Sequence, residues 1–154
     1  MIQRIQTIWL GLTVILSALL YSDKILLFGN KSEIKYSLEI YGIFNVTANN
    51  HELVGKVIPL FIFVVIISAL SIISVLLYKK RKVQLRMTLV IIIFSFCLLG
   101  FVIYYLLKII NAYDVTLVSD IRMLLPLFIV FSSLLAYRGI YKDEKLVRSY
   151  DRLR

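Results

Sequence analysis

The residues that could carry chemistry are few, and none has a catalytic spacing. His51 is the only histidine, and Glu52 follows it in the stretch Asn49-Asn-His-Glu-Leu53. A helical zinc-hydrolase site needs a second histidine four residues on, so that two imidazoles share one face around the metal. That position is Gly55, and the pair reads as exposed loop. Cys97 is the only cysteine and lies inside an apolar run, Phe94-Ser-Phe-Cys97-Leu. It allows neither an internal disulfide nor a thiolate cluster, and reads as a small buried hydrophobe. No serine or cysteine has a credible base near it, no glycine-rich loop offers amides to a phosphate, and no paired carboxylates flank a cleft. The expectation is no enzyme, no cofactor and no metal.

The elements that would have to position such residues are four long apolar runs, residues 5–21, 57–78, 87–107 and 123–141. A hydrocarbon core of roughly 30 Å takes about 20 residues of helix, and each run is near that length. With 60% hydrophobic residues, the chain is far more apolar than an ordinary soluble domain. The expected fold is an all-α membrane protein: a bundle of four transmembrane helices forming one domain over residues 1–154, with a small β-hairpin cap.

Charge sorts across these runs. Residues 1–4, residues 79–86, and the tail 142–154 with Arg138 hold twelve Lys/Arg against three acids. Residues 22–56 and 108–122 hold six against six. One side thus carries the whole net charge of +9. Short basic loops stay in the cytoplasm, so both ends are expected inside, with residues 22–56 as an outer loop. Basic side chains flanking spans contact anionic headgroups. Nucleic acid is not an expected partner, because such a surface would lie against the bilayer.

In the outer loop, Ile34-Lys-Tyr-Ser-Leu-Glu-Ile-Tyr41 alternates apolar and polar, the period of a half-buried strand. Lys24-Ile-Leu-Leu-Phe28 could pair with it through the Gly29–Ser32 turn, and Ile43–Val46 is a further strand-like run. Pro59 suits the first turn of the second span. Pro126 either kinks the fourth or marks its first turn. Helix contacts are expected at Gly11, Ser17 and Ala18, at Ser68, Ser71 and Ser74, at Ser95, Cys97 and Gly100, and at Ser132 with Ala136. Asp120 and Arg122 read as an interfacial pair. Tyr21, Tyr104, Tyr105 and Tyr113 read as an outer aromatic belt; Trp9, Tyr78, Tyr137 and Tyr141 as an inner one.

The amphipathic tail is the least bland feature. Leu146, Tyr150 and Leu153 fall on one helical stripe, and Glu144 and Arg148 pair four residues apart. Mixed charge with an apolar stripe favours a protein partner, or packing on the chain's own inner face. The residues expected to dock a partner are Gln3, Arg4, Arg81, Arg86, Arg138, Lys142, Asp143, Glu144, Arg148, Asp151 and Arg152. Their bases would hold acidic surfaces or headgroups, and their acids would set register. The function expected is a non-enzymatic accessory or scaffold subunit of a membrane assembly. The alternative is a bundle binding a lipid or small molecule beneath the outer cap.

Three passages carry a resemblance: Met1-Ile-Gln-Arg-Ile-Gln-Thr7, Leu77-Tyr-Lys-Lys-Arg-Lys-Val-Gln-Leu-Arg86, and the close from Arg138 through Lys142-Asp-Glu-Lys-Leu-Val-Arg148 to Arg154. The chain resembles, over its full length, a domain-of-unknown-function family of small four-helix inner-membrane proteins from the Bacteroidota. The resemblance implies a Gram-negative cytoplasmic membrane with residues 22–56 in the periplasm. It implies no activity.

Overall fold

Uniformly apolar stretches settle into helix because a helix satisfies its backbone internally, while alternating stretches pair as strands. The computed structural model describes residues 3–22, 24–30, 33–47, 50–78, 80–118 and 120–152. In chain order it runs α1 (Gln3–Ser22), β1 (Leu26–Asn30), β2 (Glu33–Leu38), β3 (Gly42–Thr47), β4 (Asn50–Lys56), α2 (Ile58–Leu76), α3 (Arg81–Tyr113), β5 (Thr116–Val118), a 3-10 turn (Ile121–Leu124) and α4 (Leu125–Arg152).

The all-α expectation is overturned by a five-stranded antiparallel sheet in the order β4-β3-β2-β1-β5. The β1–β2 hairpin and β3 fall where alternation put them. Two strands do not. β4 contains His51, paired across to Val46, so that residue's backbone lies in a strand and not in a loop. β5 comes from the far end of the sequence and pairs with β1, and Thr116 Oγ1 donates to the Gly29 carbonyl at 2.6 Å. The four-span expectation is corrected as well. Among the described residues three helices are long and apolar enough to cross a membrane, Ile58–Leu76, Arg81–Tyr113 and Ile121–Leu146. The apolar stretch of α1, Thr7–Tyr21, is shorter.

Helix ends follow local chemistry. Pro59 sits in the first turn of α2, where its missing N–H would have had no helical partner. Pro126 lies in the first turn of α4, after the 3-10 turn. α3 begins inside the basic segment and outruns its apolar run at both ends, about 50 Å in all at 1.5 Å per residue. It stops at Asp114, whose φ of 49° is left-handed, a geometry Asp tolerates better than most residues.

Helix α1 packs on α2 and α4, and α3 packs on the same two. The C-terminal ends of α1 and α3 and the N-terminal ends of α2 and α4 all lead into or out of the sheet region, so the sheet caps one end of the helices. Sheet and helices share one apolar core: Leu26, Phe28 and Leu38 are buried together with Leu20, Leu60 and Ile109. Phe28, fully buried, contributes about 2 kcal/mol by area. Aromatic pairs clamp the two layers. Tyr36 of β2 stacks on Tyr113 of α3 at 4.5 Å, and Tyr41, just before β3, lies 5.4 Å from Phe61 of α2.

Candidate functional site

The helices bury stripes that repeat every four and three residues. On α2 these are Leu60, Val64, Ile67, Ser71 and Ser74. On α3 they are Gln84, Thr88, Ile91, Ser95, Leu98 and Val102. On α1 Leu10, Thr13, Ser17 and Leu20 repeat the spacing, and on α4 Ile129, Ser133, Ala136, Ile140 and Asp143. A 3.5-residue repeat is the seam of left-handed helix packing. The inward stripes hold the hydroxyls, while the outward faces are almost purely apolar: only 28, 22 and 39% of the three apolar windows is buried. That polarity is inverted from a soluble protein and suits a lipid surround, where small polar residues, not hydrophobicity, bring helices together.

The inward hydroxyls are mostly satisfied within their own helices. Thr13 donates to Trp9 O at 2.9 Å, Thr88 to Gln84 O, Ser95 to Ile92 O and Ser133 to Val130 O, the last three at 2.8 Å. Across helices, the Thr13 and Ser132 hydroxyls meet at 3.0 Å and those of Ser95 and Ser133 at 3.4 Å. Ser71 and Ser74 are fully buried and their hydroxyls find no partner. Of the expected contact positions, Ser17, Ser71, Ser74, Ser95, Ser132 and Ala136 are buried and Ser68 is half-buried. Ala18, Cys97 and Gly100 instead face outward, and Gly11 and Gly100 have open space where a Cβ would stand. Cys97 is therefore not a buried hydrophobe of the helix interior.

Few groups collect for chemistry. Among the described residues no three His, Cys, Asp or Glu side chains come close enough to hold a metal. The His51 side chain lies outside the described residues, and Glu52 is exposed. Arg122 Nε and Asp120 Oδ2 lie 3.8 Å apart with both side chains partly in solvent, a loose pair worth well under about 1 kcal/mol.

The expected docking residues lie at the end opposite the sheet, on three helices. Gln3 and Arg4 are in the first turn of α1. Arg81 (half-buried) and Arg86 (exposed) are in the first turns of α3, and the rest are on α4. α4 runs unbroken from Leu125 to Arg152, so the tail prolongs the fourth helix. At 100° per residue, positions 138, 142, 145, 148 and 152 fall within an arc of about 120°, and Arg138, Lys142 and Lys145 on that arc are exposed. Positions 143, 144 and 151 fall opposite, on the arc that Ala136 and Ile140 bury. Asp143 is only 5% exposed. Along the described part of this helix end the charges thus separate: Arg138, Lys142 and Lys145 are exposed, Asp143 is buried and Glu144 is half-buried. Side chains of Gln3, Arg4, Arg148, Asp151 and Arg152, and the Leu146–Tyr150–Leu153 stripe beyond Leu146, lie outside the described residues.

A family model described as Domain of unknown function (DUF4293) matches residues 2–153. The chain belongs to this family. The DUF4293 match takes in every described helix and strand. No curated protein matches the chain.

Proposed function

We propose that this DUF4293 protein is a non-enzymatic accessory or scaffold subunit of the bacterial cytoplasmic membrane, from the Bacteroidota, with the α2–α3 connection and the end of α4 in the cytoplasm and the sheet in the periplasm. It docks an acidic partner through the basic outward arc of α4. One observation carries the reading: α4 extends without a break past its apolar part, with Arg138, Lys142 and Lys145 on one exposed face and Asp143 turned inward. Bases that only oriented a span could sit anywhere around a flexible tail. A helix that keeps them on one arc, from position 138 to 152 over about 21 Å, presents a shaped cationic surface. Its first bases lie near the membrane end of the helix and suit anionic headgroups. Its last positions, 148 and 152, lie farther along the helix and carry Arg, whose guanidinium pairs bidentately with a carboxylate of a neighbouring protein.

The bases concentrated in the α2–α3 connection and along the end of α4 support the orientation. Replacing Arg148 and Arg152 together by Ala tests the docking. Co-purification of a stoichiometric partner from native membranes is expected to be lost while membrane insertion is kept. Undiminished co-purification contradicts it.

A further inference from the structure

The junction between the sheet and α2 carries an exposed apolar patch that neither the core nor the cationic face uses. Its members are in contact or adjacent along the chain. The Tyr41 ring tilts over Phe61 at 5.4 Å, and Phe61 meets Tyr21 edge-on at 6.2 Å. The Val57 N–H donates to the Tyr41 carbonyl at 3.3 Å, so the start of α2 is stitched to the turn before β3. Leu53 reaches back over Gly42, its Cδ1 lying 2.5 Å from where a Cβ would stand. The register shift between Ile43 and Phe44 makes Val54 an extra residue on β4. This bulge leaves neighbouring Leu53 and Val54 both exposed, where a regular strand would turn one of them under. Tyr41, Leu53, Val54, Ile58 and Phe61 are 36 to 57% exposed.

We propose that this patch is a membrane-interface anchor, seating the β4 corner of the sheet in the headgroup and upper acyl region of the outer leaflet. The patch continues without a gap into the outward apolar face of α2, Ile58, Phe61, Ile62 and Val65, which is the surface of an apolar helix long enough to span. Tyrosine at its rim and exposed Lys56 beside it match the mixed chemistry of that zone, apolar on one side and phosphate on the other. The bulge also interrupts the outer hydrogen-bonding edge of β4, which disfavours strand addition by a second protein.

Nitroxide labels on single cysteines in the Cys97→Ala background, with the chain in phosphatidylcholine–phosphatidylglycerol nanodiscs, test this. Leu53→Cys and Val54→Cys are expected to show a severalfold higher ratio of oxygen to nickel-chelate collision than Lys35→Cys on β2, approaching Ile62→Cys on α2. Chelate access equal to that of Lys35→Cys would overturn the proposal, because the corner would then stand in water. Low access to both reagents would overturn it too, because a protein and not lipid would then cover the patch. Two separate label sites keep the test decisive if one substitution disturbs the strand.

Discussion

Thr13 on α1 and Ser132 on α4 meet hydroxyl to hydroxyl at 3.0 Å in the buried interior, 119 residues apart in sequence. Each also has a carbonyl in its own helix, Trp9 O for Thr13 and Ile129 O for Ser132. A hydroxyl has one proton, so whichever of the two donates across the interface gives up the bond to its own helix carbonyl, and the interhelical bond replaces an intrahelical one. A double-mutant cycle of Thr13→Val and Ser132→Ala, read by unfolding in detergent, is expected to give a coupling of about 0.6 kcal/mol, the usual size for such pairs in membranes. Steric demand is the larger effect. Ser132→Leu should cost about 1–3 kcal/mol, because the seam has no room for added methylenes.

Ser71 and Ser74 behave oppositely. Both hydroxyls are buried without a partner, an arrangement that costs stability. Ser71→Ala and Ser74→Ala are expected to be neutral or to stabilise by up to about 1 kcal/mol in the same unfolding experiment. A loss of that size would show that each hydroxyl is engaged.

Gly42 is a position where only glycine fits. A Cβ there would stand 2.5 Å from Leu53 Cδ1 and 2.7 Å from the Gly55 carbonyl oxygen. The leucine can swing away, but the carbonyl belongs to the paired strand and cannot. Gly42→Ala is expected to destabilise by about 1–3 kcal/mol and to raise hydrogen exchange in β3 and β4 while leaving α3 protected.

Cys97 faces outward from the middle of α3. Its thiol has no base in hydrocarbon to take its proton, so maleimide, which adds to the thiolate, should label it slowly in intact membranes and quickly once the protein is unfolded in detergent. Rapid labelling in intact membranes would place that face of α3 in water.

Elements set by a local period are legible in the sequence, and those set by a partner are not. Ile34 to Tyr41 alternates, and β1, β2 and β3 were legible from it and its neighbours. Asn50–Lys56 carries Asn, Glu, Gly and Lys, residues depleted in strands; it is held in β4 by pairing to β3. Thr116–Val118 has three residues, too few for any periodicity, and depends on β1. The ends of α3 lie beyond its apolar run for another reason. Hydropathy marks where lipid ends, whereas helical hydrogen bonding runs on through Arg81–Arg86 and Lys108–Tyr113.

The charges of the proposed docking face were legible in the sequence, but their arrangement around the helix was not. Asp143 and Lys142 are adjacent in sequence yet face inward and outward, because neighbouring positions on a helix are 100° apart. The sequence signal of the inward face is the four-three spacing of Gln84, Thr88, Ile91, Ser95 and Leu98. It shows the inward face by small polar residues, and an average of hydropathy along the helix erases it.

The central claim is that the prolonged end of α4 docks a partner. A mild-detergent pull-down from native membranes, comparing the full chain with one ending at Tyr141, tests it most directly. The account predicts a stoichiometric partner with the full chain that is absent from the truncated one. A partner retained by both, or brought down by neither, would contradict it.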